Sequence, residues 1–132
     1  MCKVLIVEDD AINMFLYRKI LENEGHDVLM SSTGSDAIEM AKRYNPDMVL
    51  LDIFLPGRSG FDIYNEMKED KDLSSIPVVF ASASFDNDAV IEKTGIARER
   101  VMRKPINFET LTSLVKQILQ ERILNHKNLS YA

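Results

Sequence analysis

The chain has 132 residues, a formal net charge of −5, 45% hydrophobic and 28% charged residues. That length suits one domain with a sizeable core, and the acidic balance argues against a nucleic-acid binder, which would carry a basic face. Cys2 is the only cysteine; an internal disulfide is excluded, a reducing cytosol is the natural compartment, and no chemical role is expected of it. The start reaches acids after four apolar residues, too few for a signal peptide or a membrane span.

Strand and helix signals alternate five times. Lys3–Val7 reads as the first strand, followed by a helix with apolar Ile12, Phe15, Leu16, Ile20 and Leu21, ended by Gly25. Val28–Met30 is a short second strand, and Ser31–Gly34 a turn into a helix carrying Ala37, Ile38 and Ala41. Asn45-Pro46-Asp47 breaks that helix ahead of the third strand, Met48–Leu51. The loop Pro56–Gly60 leads to a helix with Ile63, Tyr64 and Met67, and Pro77 opens the fourth strand, Val78–Ala81. A polar stretch, Ser84–Asp88, precedes a short helix near Ala89–Lys93, and the weakest strand lies around Arg100–Arg103. Asn107 is placed to cap the last helix, whose apolar face is Phe108, Leu111, Leu114, Val115, Ile118 and Leu119. One domain is expected over residues 1–124, with a short polar, frayed tail over 125–132.

Four apolar runs end in reactive polar residues: Glu8-Asp9-Asp10, Asp52, Ser82 and Lys104-Pro105. Short apolar runs separated by helices read as buried parallel strands, and α/β folds bind ligands outside the carboxyl ends of such strands. Three acids there would repel one another, by about 4 kcal/mol for a pair at ~4 Å and an effective dielectric of 20. A hard cation offsets that; two carboxylates, a carbonyl and retained waters suit Mg²⁺. With a lysine and a hydroxyl added, the pocket fits an oxyanion, most naturally a phosphoryl group on a carboxylate. Singly, each fragment is ordinary: acidic triplets are usually solvated turns, and an Asp after a strand is usually a cap.

Together, Leu5-Ile6-Val7-Glu8-Asp9, Leu50-Leu51-Asp52-Ile53-Phe54-Leu55-Pro56 with Ser59-Gly60, Pro77 to Ala83, and Lys104-Pro105 resemble the response-regulator receiver domain of two-component signalling, over about residues 2 to 122. The resemblance implies a flavodoxin-like, doubly wound (βα)5 fold with a parallel five-stranded sheet in the order 2-1-3-4-5. It implies that Asp52 is the phosphoacceptor, and that Asp9 ligates Mg²⁺ directly, Glu8 largely through water and Phe54 through its carbonyl. By the same resemblance, Ser82, the backbone N–H of Ala83 and Lys104 bind phosphoryl oxygens, and Pro105 is cis or turn-forming. Asp10 falls outside the acid pair and reads as a cap for the first helix.

The chain departs from the family in three places. Val101 stands where many receivers carry an aromatic switch, and its restricted rotamers cannot play that part in the usual form. The segment Thr94–Arg100 lacks the family's Gly-Ala turn. In the family, the positions held here by Phe54 and Ser84 flank the path of the hydrolytic water; with a large apolar Phe54 there to shield the phosphoryl group, a slowly hydrolysed phosphoaspartate is expected. Arg98, Arg100 and Arg103 read either as a salt-bridged edge or, with Val101, as an output face for an acidic partner; His26 and His126 have no phosphotransfer context.

The leading expectation is a stand-alone cytoplasmic receiver, catalysing only its own phosphorylation and dephosphorylation. Its phosphoryl donor would be a sensor histidine kinase or histidine phosphotransfer protein. It would then contact a downstream protein or relay the group, without nucleic acid or membrane. The other readings are a pseudo-receiver interaction module, a receiver cut from a larger hybrid kinase or transcription factor, and a phosphohydrolase. Phe54, standing where the last would need a second acid, speaks against it. Met1 and the tail favour a complete protein.

Overall fold

The computed structural model describes residues 2–83 and 87–131, with side chains through Leu124. In chain order the elements are β1 (Lys3–Val7), α1 (Ala11–Asn23), β2 (Asp27–Ser31), α2 (Ala37–Tyr44), β3 (Met48–Asp52) and α3 (Gly60–Glu69). They continue with β4 (Val78–Ser82), α4 (Asn87–Thr94), a 3₁₀ turn (Arg98–Arg100), β5 (Val101–Arg103) and α5 (Phe108–Tyr131). The strands form one parallel sheet in the order β2-β1-β3-β4-β5, the flavodoxin-like arrangement expected.

Both faces of the sheet are covered, which is why the three central strands read as continuous apolar runs. Side chains alternate between the faces. Leu5, Val7, Val49, Leu51, Val78, Phe80 and Val101 pack with Ala37 and Ala41 of α2, Phe61, Ile63 and Met67 of α3, and Val90 of α4. Val4, Ile6, Met48, Leu50, Val79, Ala81 and Met102 pack with Tyr17 and Leu21 of α1 and with Leu111, Val115 and Ile118 of α5.

The helix caps follow the sequence. Asp10 Oδ1 accepts from the backbone N–H groups of Ile12 and Asn13, each at 2.9 Å, and Asn107 Oδ1 accepts from those of Glu109 at 2.8 Å and Thr110 at 3.2 Å. The Lys104–Pro105 peptide is cis. Cys2 Sγ lies 3.3 Å from His26 Nδ1, and burial followed by the Asp47 charge pushes the thiol up to about 11, which keeps it unreactive.

Only part of the apolar face expected of α1 is buried: Ile20 and Leu21 pack inward, and three other residues do not. Ile12, Phe15 and Leu16 are 72%, 56% and 48% exposed, whereas Tyr17 and Leu21 are buried, with Met14 and Ile20 packed partly against the same core. Two neighbouring stripes of this helix both repeat at helical spacing, and the sheet takes the one through Met14, Tyr17 and Leu21. At the other end of the chain, α5 runs on to Tyr131, through the segment read as a frayed tail. Ser84 lies outside the described residues, and His126 outside the described side chains.

Gly60 fixes how α3 meets the end of β3. A Cβ at this position would lie 2.2 Å from the Asp52 carbonyl oxygen and 2.9 Å from Ile53 Cα, and the Gly60 N–H donates to the Ile53 carbonyl at 2.7 Å. The obstruction is backbone and cannot swing aside. Gly60→Ala is therefore expected to destabilise the fold by about 1–3 kcal/mol, read as a lower urea midpoint at unchanged slope.

Candidate functional site

Because all five strands are parallel, their carboxyl ends share one edge. Glu8 follows β1, Asp52 ends β3, Ser82 ends β4 and Lys104 follows β5. Main-chain bonds carry the ladders one residue further, from Glu8 N to the Ser31 carbonyl at 3.1 Å and from Lys104 N to the Ser82 carbonyl at 2.8 Å. The alternation therefore persists to the tip. Glu8, Asp52 and Lys104 continue the face of Ile6, Leu50 and Met102, on the side of α1 and α5. Ser82 continues the opposite face, that of Phe80.

Carboxylate oxygens of Glu8, Asp9 and Asp52 all lie within 4.8 Å of one another. Glu8 and Asp52 are only 2% and 5% exposed, while Asp9 is open to solvent. Lys104 Nζ sits between them, 2.7 Å from Glu8 Oε2 and 3.1 Å from Asp52 Oδ2. The Asp52 contact is a hydrogen bond; Glu8 Oε2 is buried without a hydrogen-bond partner among the described residues, so its contact with Lys104 is an ion pair of poor hydrogen-bond geometry. The other carboxylate oxygens accept from the backbone: Glu8 Oε1 from Asp10 N at 3.2 Å and Asp52 Oδ1 from Phe54 N at 3.3 Å.

Burial drives the Glu8 carboxyl above its usual range; the Lys104 contact opposes that and the Asp52 charge adds to it. Burial by itself would lower the Lys104 ammonium, but its bonds to Glu8 and Asp52 hold it above the ordinary lysine value. Two buried carboxylates thus share one ammonium with a third, Asp9, alongside, and one buried carboxylate oxygen has no hydrogen-bond partner among the described residues. Such a donor set fits a hard divalent cation with oxygen ligands and water.

The site opens as a cleft of about 580 Å³ whose rim includes Asn13, Phe54 and Ala83. Phe54 is 52% exposed there. Ser82 is fully buried and does not line the cleft, where its neighbour Ala83 does. Val101 is buried beside Phe80, at the edge of a ring cluster in which Phe80 lies 5.7 Å from Phe61 and 5.2 Å from Tyr64, centroid to centroid. Arg98 pairs with Asp88 at 2.5 Å and Arg100 with Glu121 at 2.8 Å. Arg103 is exposed and, with Val101, lines a groove of about 680 Å³ between β5 and α5.

Three features were not anticipated from the sequence. Gly60 contacts the backbone of Asp52, and the Tyr17 hydroxyl is buried without a hydrogen-bond partner among the described residues. The exposed stripe of α1 is the third. Phe15 and Met30 border a crevice of about 390 Å³ that runs up to Glu8 and Asp9, so apolar surface adjoins the acids directly.

A doubly wound parallel α/β domain with acids, a hydroxyl and a lysine at the carboxyl edge of its sheet is the architecture of a signalling receiver. Residues 4–116 match the family model of the response regulator receiver domain, and the chain belongs to that family of two-component signalling proteins. It is 34% identical over 120 residues to PilH of Pseudomonas aeruginosa, covering 90% of this chain and 98% of PilH. To the polar-differentiation response regulator DivK of Brucella abortus it is 34% identical over 118 residues, covering 88% and 94%. Among solved structures, the signal receiver domain of a putative Luxo repressor protein from Vibrio parahaemolyticus superposes with a TM-score of 0.80 at 30% identity, covering 95% of each chain. Among the described residues, no helix is long and apolar enough to cross a membrane.

Proposed function

We propose that this protein is a response regulator that accepts a phosphoryl group on Asp52 from a phosphohistidine of a sensor histidine kinase or histidine phosphotransfer protein. An Asp52 carboxylate oxygen forms the new bond to phosphorus as the bond to the imidazole nitrogen breaks, and the donor histidine leaves as neutral imidazole once protonated. The observation that carries this reading is the placement of Lys104 Nζ 2.7 Å from Glu8 and 3.1 Å from Asp52, with Asp9 alongside. A Mg²⁺ held by Asp9, Asp52, the Phe54 carbonyl and, through water, Glu8 would neutralise charge on the transferring oxygens. Lys104, the Ser82 hydroxyl and the Ala83 N–H would hold the phosphoryl oxygens. The phosphorylated protein would then act in the cytoplasm by contact with a downstream protein or by passing the group onward.

Incubation with Mg²⁺ and a small acyl phosphate, followed by intact mass, tests this. A metal-dependent phosphoryl adduct is expected; its absence with a competent donor would leave an interaction module without phosphoacceptor chemistry. In the same assay Phe54→Asn is expected to shorten the adduct's lifetime by opening the rim to water.

A protein donor must approach across the rim of the cleft, and on the α1 side exposed Phe15 and Met30 border the crevice beside Glu8 and Asp9, with Ile12 and Leu16 exposed on the same helix. Burial of such anchors typically dominates binding, at about 2 kcal/mol or more for a central one. Phe15→Asp combined with Leu16→Asp is expected to slow transfer from the cognate protein donor by more than about tenfold. The adduct formed with a small acyl phosphate should be unaffected.

A further inference from the structure

Tyr17 is 3% exposed, and its hydroxyl is buried with no hydrogen-bond partner among the described residues. A buried donor left unmade is costly, and one such group in a well-packed layer calls for a reason. On the same side of the sheet, Glu8 Oε2 has no hydrogen-bond partner among the described residues and only the ion pair with Lys104, 2.7 Å away. Both belong to the layer between the sheet and α1 and α5: Tyr17 packs there, and Glu8 continues the face of Val4 and Ile6. Tyr17 lies six positions past Ala11, the first residue of α1, hence about 9 Å along the helix. Helical side chains lean toward the N-terminus, which aims the hydroxyl end of the ring back toward the acids.

We propose that the Tyr17 hydroxyl is a positioning group for Glu8, donating to Oε2 directly or through one buried water once Lys104 leaves that oxygen. The inference rests on the phosphoacceptor reading above. In the resting protein Lys104 occupies Glu8 and Asp52 together; to hold a phosphoryl oxygen or yield to a cation it must give up Glu8. Tyr17 then satisfies the carboxylate and loses its own orphan status in the same step. Burial, with the charges of Glu8, Asp52 and Asp10, raises the phenol above its usual value, so it remains a donor throughout. Tyr17 thereby favours the loaded site over the resting one, from beneath the sheet edge and without contact with the reacting atoms.

The test compares the full-length wild type with Tyr17→Phe, which keeps the ring. The protein has no Trp, so tyrosine emission is read without interference. Adding Mg²⁺ to the metal-free protein is expected to change that emission in the wild type and much less in Tyr17→Phe. The Mg²⁺ concentration for half-maximal thermal stabilisation should rise about five- to tenfold in the variant, the size of one hydrogen bond. The metal-free variant should unfold at the same temperature as the wild type or higher, because an orphan has been removed. In a Glu8→Gln background the Tyr17→Phe effect on Mg²⁺ should disappear. An unchanged Mg²⁺ midpoint, or an equal shift in the Glu8→Gln background, would overturn the proposal. Failure of the phosphoacceptor reading is separate: the wild type would respond to Mg²⁺ but form no adduct.

Discussion

Asp52→Asn is expected to remove the phosphoryl adduct completely while leaving the protein folded. The Asp52 side chain accepts two weak hydrogen bonds, Oδ1 from Phe54 N at 3.3 Å and Oδ2 from Lys104 Nζ at 3.1 Å, and an amide of the same shape keeps an acceptor for one of them. What it loses is a charged oxygen nucleophile, which no neighbour replaces. Glu8 is held in an ion pair and Asp9 sits at the exposed rim. One negative charge also leaves a cluster of three, so the variant should unfold at a temperature equal to or above that of the metal-free wild type. Intact mass after incubation with an acyl phosphate, together with a thermal melt, checks both halves. Adduct on another residue would sink the assignment of Asp52.

Lys104→Ala is expected to produce the largest loss of stability of any change at the site, about 3–5 kcal/mol, the usual effect of leaving a buried charge without its partner. Lys104 is itself only 12% exposed and stands against two nearly buried carboxylates. The loss should be partly reversed by millimolar Mg²⁺, because a cation bound only to the folded state stabilises it by mass action, about 2.7 kcal/mol at a hundredfold excess over Kd. Urea unfolding with and without Mg²⁺ measures it. A variant that unfolds at the wild-type midpoint would mean that the ion pairs are replaced by solvent at no cost.

Much of this was legible in the residues. The central strands β1, β3 and β4 are fully buried runs, or nearly so, and such runs announce themselves; the polar residue that closes each one then falls at the carboxyl edge of the sheet, where the candidate site lies. Caps at Asp10 and Asn107 were equally local and equally readable. What failed was the N-terminal half of the α1 face: Ile20 and Leu21 pack as expected, but Ile12, Phe15 and Leu16 stay exposed while Met14 and Tyr17 turn to the core, and only the sheet decides between such neighbouring stripes. The roles of Gly60 and Tyr17 depend on packing across the fold, with the Asp52 carbonyl in one case and the layer between the sheet, α1 and α5 in the other. For the arginines the sequence left two readings open. The pairing of Arg100 with Glu121, 21 residues on, takes that side chain for the edge of the fold, a choice that needs α5 in place beside β5.

The single ammonium among three carboxylates bears on kinetics as well as on binding. With every group ionised the mouth of the cleft carries an excess of two negative charges, and any phosphodonor arrives as an anion. Over the ~8 Å Debye length of physiological salt, the resting protein repels the very molecules that would modify it, and a bound dication cancels the excess. Divalent cation would therefore govern admission to the site before it governs anything at phosphorus. Added monovalent salt should speed encounter in the bare protein and leave it nearly unchanged in the loaded one.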